Sequence, residues 1–217
     1  LKAEQVARLL WVFGTLGVEA DRDLYIALTE RVMQVLPEFT EQGIALTLWS
    51  LARMGVAMDD ALITALMHRA EDVMQDFTLQ GVSNMLWALA RIRHADPACV
   101  DPLLCHLRDA DLRDMSGQAV ANILWSLSHF HLLSIDQQLQ IKLTKQLQDK
   151  AGDLNPQEIA NSLWALSQLG EDCESSVWKA VESQICLRID EFDAHSVANT
   201  LNAFRVLDVE PGAELLM

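Results

Sequence analysis

Apolar and polar positions recur along this chain with a fixed period. The segments LLWVFGTLG (9–17), TLWSLARMG (47–55), MLWALARIR (85–93), ILWSLSHFH (123–131), SLWALSQLG (162–170) and TLNAFRVLD (200–208) align without gaps. Trp11, Trp49, Trp87, Trp125, Trp164 and Asn202 share one column, at intervals of 38, 38, 38, 39 and 38 residues. A period of this size marks a stack of small repeated units, none of which can bury its apolar face alone. The one extra residue is expected in the polar segment DKAGDL (149–154), because lengthening a surface loop costs little.

Each period predicts two helices. The first is expected to open nine residues before the anchor column, at Lys2, Thr40, Thr78, Ser116, Asn155 and Asp193. Five of these six are side chains whose oxygen can accept from an unpaired amide of the first helical turn. Gly17, Gly55 and Gly170 follow the helix in three repeats and suit the left-handed residue that ends helices. A second amphipathic helix comes next, as in 59–74 and 136–148. In the third repeat Pro97 and Pro102 each follow an Asp, and either could open it.

On a helical wheel, positions five and one before the anchor and two and five after it are Val, Ile, Leu, Met or Phe throughout. They form the expected core stripe. Beside them, four before and three after, stand Ala, Ser or Gly except at Arg205, small enough for neighbouring helices to approach closely. The remaining arc holds the anchor, a Gln seven before it in four repeats, an Asn three before it, and a variable residue four after. The expected architecture is an all-α solenoid of six helix-pair repeats with a right-handed superhelix, forming a single domain over 1–217. The repeats lie approximately at 1–38, 39–76, 77–114, 115–153, 154–191 and 192–217, the last incomplete. Neither end shows the polar capping repeat that such stacks need, so the stack is expected to continue in at least one direction.

Composition adjusts this picture little. Of 217 residues, 51% are hydrophobic, ample for a core. No apolar run reaches the roughly 18 residues of a membrane span, so a soluble protein is expected. Cys99, Cys105, Cys173 and Cys186 form no CxxC pair, and free, reduced thiols are expected. His129 and His131 hint at a metal but have no third ligand nearby in sequence, and no metal or cofactor is expected.

With anchors, caps and small positions in place, the pattern Q-x-[VI]-A-N-x-L-W-[AS]-L-[AS]-x-L-G emerges, best formed in 117–131 and 156–170. It resembles the octotricopeptide repeat family over nearly the whole chain. Arg8 and Leu46 stand where other repeats have Asn, and Asn202 where they have Trp. The resemblance implies binding of single-stranded RNA in mitochondria or chloroplasts, in transcript maturation, stability or translation.

The net charge of −15 opposes that expectation until it is localised. The six first-helix windows carry five Lys or Arg and four Asp or Glu, a net of +1, leaving −16 on second helices and loops. A helical repeat can give one base to each unit through two or three side chains. Asn84, Asn122, Asn161 and Asn199 offer a donor and an acceptor for base edges, or alternatively bonds to a neighbouring repeat's backbone. Arg53, Arg91, His129 and Gln168 could meet phosphate or stack on a base, or simply form a solvated face. The Trp anchors suit packing between repeats as well as base platforms. The alternative function is a protein-interaction scaffold or structural subunit of a ribonucleoprotein complex, its acidic exterior attracting basic proteins. No phosphate loop, GxSxG or HExxH is present, so no enzyme is expected.

Overall fold

The computed structural model describes residues 1–17, 21–55, 58–130, 136–170, 175–209 and 212. In chain order the helices are α1 (Ala3–Leu16), α2 (Arg22–Val35), α3 (Glu41–Met54), α4 (Asp60–Asp72), α5 (Leu79–Arg91), α6 (Pro97–Asp109), α7 (Gly117–His129), α8 (Gln137–Asp149), α9 (Pro156–Leu169), α10 (Ser175–Arg188) and α11 (Ala194–Val206). Odd-numbered helices are the first helices of the repeats, even-numbered ones the second. No strand occurs among the described residues, and no helix there is long and apolar enough to cross a membrane.

All six expected cap residues start a first helix. Thr40 accepts from the Gly43 amide at 3.3 Å, Thr78 from Gly81 at 3.1 Å and Ser116 from Ala119 at 3.2 Å. Asp193 accepts from Ser196 at 2.7 Å, a bond that also holds its carboxyl below the usual range. Asn155 and Glu158 exchange bonds at 2.9 Å each, closing a capping box. Lys2 has no oxygen to offer, and there Gln5 Oε1 accepts from the Lys2 amide at 2.9 Å. Each such cap stabilises its helix by about 1 kcal/mol.

Between a second helix and the next cap runs a short 3₁₀ turn, at Leu36–Glu38, Met74–Asp76, Leu112–Asp114, Ala151–Asp153 and Ile189–Glu191. In four of these places the residue after the turn, Phe39, Phe77, Met115 or Leu154, is buried beneath the first helix it precedes. That apolar residue fixes the entry angle of the chain. An arginine of the second helix returns to the same corner. Arg31 Nε donates to the Leu1 carbonyl at 2.7 Å, Arg69 Nε to the Phe39 carbonyl at 3.1 Å, and Arg188 Nη1 to the Leu154 carbonyl.

Gly17, Gly55 and Gly170 take φ of 63°, 68° and 68°, as the left-handed cap requires. Arg93 and Asp208 occupy the same column and adopt φ of 60° and 52°. After Arg93 the backbone closes a Schellman motif, His94 donating to the Leu89 carbonyl at 2.9 Å and Arg93 to Ala90 at 3.1 Å. In the third repeat Pro97 opens α6 and Pro102 lies inside it.

Three expectations need correction. The extra residue is not in DKAGDL: Trp125 to the cap Asp136 is 11 residues, against 10 from Trp11 to Asp21 and from Trp49 to Asp59. From Asp136 onward the spacing is regular. The 3₁₀ turn with its buried Leu154 has no room for an insertion, so the residue falls between His129 and Asp136, mostly outside the described residues. Second, the position five after the anchor is not uniformly core: Phe130 is buried, Leu16 is exposed, and the rest are half-buried. That position lies on the final turn, where the helix runs out of neighbours. Third, Leu201 is exposed, because α11 has no second helix of its own among the described residues.

The described chain divides into two compact units, Leu1–Asp109 and Ala110–Met217. In the first, α1 packs on α3 and α3 on α5; in the second, α7 packs on α9 and α9 on α11. Each unit is therefore an α-solenoid, built neighbour to neighbour. First helices sit much closer to one another than second helices do. Their interface is made of small side chains. A Cβ added to Gly14 would lie 3.1 Å from the Ser50 Cα and 3.3 Å from its carbonyl oxygen. The hydroxyl of Ser50 sits in this interface and turns back to the Leu46 carbonyl at 2.5 Å; buried Ser126 turns back to the Asn122 carbonyl in the same way at 2.6 Å.

Two stability outcomes follow. Arg93→Gly removes a left-handed strain of roughly 1–2 kcal/mol at the cost of a more flexible unfolded chain, and should raise stability by about 0.5–1 kcal/mol in urea unfolding, whereas Arg93→Ala should not. Gly14→Val forces α1 away from the α3 backbone and should cost about 1–3 kcal/mol in the same measurement.

Candidate nucleic-acid interface

The residues seven and three before the anchor, the anchor, and four after it follow at steps of four, three and four. On an α-helix this spacing lines up a single stripe about 16 Å long. Because the small positions on either flank are consumed by packing against neighbouring first helices, this stripe is the part of the first helix left at the surface. Gln42, Gln80, Gln118 and Gln157 are exposed, and Asn84, Asn122, Asn161 and Asn199 are half-buried. Trp11 is exposed, while Trp49, Trp87, Trp125 and Trp164 are half-buried.

The Trp anchors pack between repeats and remain open to solvent at the same time. Trp49 on α3 and Trp87 on α5 stand with ring centroids 6.3 Å apart at 37°. In the second unit His129 fills the space between Trp125, at 4.0 Å, and Trp164 on α9, at 5.2 Å. The His129 ring is held in place by its Nδ1, 2.8 Å from the Trp125 carbonyl oxygen.

Arg53 lies 5.4 Å from the centre of the Trp49 ring and donates through Nε to the Gly14 carbonyl at 3.0 Å. Its guanidinium thus ties α3 to the end of α1, with the remaining nitrogens over the aromatic row. Arg91 and Gln168 are exposed, and Gln168 donates to the neighbouring Ser167 hydroxyl at 3.3 Å. The four residues predicted here are therefore of two kinds: Arg53 and His129 are built into the aromatic row, and Arg91 and Gln168 stand beside it.

The Asn residues do not form a ladder. Among the described residues none of the four bonds the backbone of a neighbouring repeat. Asn84 accepts from Gln80 at 3.1 Å, and Asn199 pairs with His195 at 3.2 Å, each one turn away on its own helix. Arg8 and Glu4 make the equivalent pair in the first repeat at 2.7 Å, which neutralises the one cation of that stripe.

The Arg8–Glu4 and Asn84–Gln80 pairs rim grooves that the sequence did not reveal. Between α1 and α3 lies a groove of about 270 Å³ whose floor is Phe39 and Thr40, bordered by Glu4, Arg8, Gln42 and Leu46. Between α3 and α5 lies its counterpart of about 350 Å³, floored by Phe77 and Thr78 and bordered by Gln42, Leu46, Gln80 and Asn84. The same columns line both, one repeat apart. The apolar residue immediately before each cap was the available signal, since it must sink under the helix it precedes.

Chemically the surface offers flat aromatic edges, amides that donate and accept, and few free charges. His131 and Cys173, named above, lie outside the described residues. No curated protein matches the chain. Residues 1–171, from the first repeat into the first helix of the fifth, match the family described as Tbc2 translation factor, N-terminal domain. With most of its length inside that match, this chain belongs to the Tbc2 translation factor N-terminal domain family.

Proposed function

We propose that this protein is a non-catalytic, octotricopeptide-type repeat module that binds single-stranded RNA in an organelle, mitochondrion or chloroplast, and acts there in translation or transcript maintenance. The observation that carries this reading is the half-open Trp rings of each unit's first helices, Trp49 beside Trp87 in the first unit, with amide-rimmed grooves near them, and Trp125 and Trp164 flanking His129 in the second. Bases stack on such rings for about 1–3 kcal/mol each, whatever their sequence. Asn84, Asn122, Asn161 and Asn199 supply the paired donor and acceptor that a base edge needs. Membership in a translation-factor family supports the role in translation.

Stacking and amide bonding are expected to dominate over charge. Of the cations on the stripe, Arg8 is paired with Glu4 and Arg53 is partly committed to Gly14. A second reading, docking of a protein on the outer helices, is favoured by the exposed Ile141 of α8 and Leu187 of α10.

Titration with a random single-stranded RNA pool at two salt concentrations tests the first reading. Binding is expected at low salt, with log K falling against log salt at a slope of about −1 to −2, since each neutralised phosphate contributes roughly −0.7. Changing Arg53, Arg91, His129 and Gln168 together to Ala should weaken it strongly and flatten the salt dependence. A double variant that changes only the exposed Arg91 and Gln168 to Ala, keeping Arg53 and His129 in their packing, should weaken binding while melting like the parent. Absence of binding at low salt would overturn the RNA reading and leave protein docking.

A further inference from the structure

The turn joining α5 to α6 gathers three different metal-ligating side chains. His94 ends the Schellman motif, Asp96 caps α6 and Cys99 lies in the first turn of that helix, a spacing of H-x-D-x-x-C. Cys99 Sγ stands 3.6 Å from His94 Nε2, and an Asp96 carboxylate oxygen lies within 4.8 Å of both. Among the described residues this is the group of such side chains that converges on one point. We propose that His94, Asp96 and Cys99 form a zinc-binding site that staples the third repeat's two helices together, independently of the RNA-binding stripe.

The distances carry the assignment. Tetrahedral zinc bonds sulfur at about 2.3 Å and imidazole nitrogen at about 2.0–2.1 Å, which sets those two ligands roughly 3.6 Å apart. The Cys99 and His94 atoms already hold that separation. Asp96 completes the group: one of its oxygens accepts from the Ala98 amide at 3.0 Å, and the other is left for the metal.

The support behind the imidazole is of the kind metal sites use. His94 Nδ1 faces Asp60 Oδ1, at the start of α4, at 3.6 Å. A carboxylate there favours the tautomer with its proton on Nδ1 and the Nε2 lone pair directed at Cys99. The backbone of His94 is fixed by its bond to Leu89, so the ring has little freedom to leave.

The donor set selects the ion. One thiolate, one imidazole and one carboxylate suit zinc rather than calcium or magnesium, which take oxygen alone. Three protein ligands leave the fourth position to water. Burial, reinforced by Asp96 and Glu71, pushes the Cys99 thiol up. The metal-free residue is thus a thiol, and binding replaces its proton, which passes to solvent, with the metal–sulfur bond.

Cobalt(II) titrated into the full chain gives the test, as a spectroscopic stand-in for zinc. A thiolate-to-cobalt charge-transfer band should saturate at one metal per chain and be bleached by zinc. The band should vanish in Cys99→Ser and survive in Cys105→Ser and Cys186→Ser. Asp60→Asn should weaken zinc binding about 10–100-fold, as loss of a carboxylate behind a ligating histidine does. His94→Gln, which leaves the buried thiol untouched, should also lose the band, and circular dichroism of the metal-free variants checks that both remain helical. No thiolate band at saturating cobalt, or a band that persists in Cys99→Ser, would overturn the site and leave a buried thiol–imidazole hydrogen bond.

Discussion

First helices of adjacent repeats meet almost backbone to backbone, and the rest of each unit depends on that approach. At the Gly14–Ser50 contact even a methyl group would press on main-chain atoms. Close approach requires small residues on two flanks of every first helix, and the large residues must then go elsewhere. Leucine and valine turn inward against the repeat's own second helix. Tryptophan, too big for the flank and too apolar for full exposure, is left on the surface stripe, half-covered by its counterpart in the next repeat. The aromatic row is in this sense a product of the packing rule, available for binding because the interface has no room for it.

The corner before each first helix solves the complementary problem of aiming that helix. Three interactions meet there: a polar cap, a buried residue such as Phe39 beneath it, and in several repeats an arginine from the second helix bonded to the corner's carbonyl. A helix of about 14 residues is marginal alone in water, so its direction has to be imposed by such contacts. The corner also explains where the chain tolerates change. It keeps its length in every repeat, and the one insertion falls instead between α7 and α8.

Most of the fold was legible because it follows from local rules. Periodicity located the repeats, and side-chain oxygens located all five polar caps. The core stripe was readable wherever a helix has a neighbour and misleading at Leu16 and Leu201, where it has none. Less was legible of the site. The stripe itself came from helical geometry, but its division into Arg53 and His129, each packed against the Trp rings of its own unit, and Arg91 and Gln168, exposed beside them, depends on which neighbour each side chain reaches. The grooves floored by Phe39 and Phe77, and the meeting of His94 with Cys99, depend on contacts that no spacing of residues encodes. Left-handed Arg93 was hidden for a related reason: the Schellman bonds impose the conformation that glycine would have adopted unaided.

The distribution of charge fits the chemistry of the stripe better than the total suggests. A surface meant to grip phosphate would concentrate cations, and here the first helices carry a net of only +1 while the remainder carries −16. The second helices are themselves close to neutral, the acid lying in the caps and turns between helices, and the stripe too is left near neutral. What the stripe retains is aromatic area and amide groups, which match the faces and edges of unpaired bases better than a phosphate backbone. Duplexes hide those faces in stacking, so under the proposed function a surface of this composition would discriminate by strandedness before it discriminates by sequence. The column that presents Asn84, Asn122 and Asn161 against Arg8 and Leu46 is the part of the stripe whose chemistry changes from one repeat to the next, as any preference for one base over another requires.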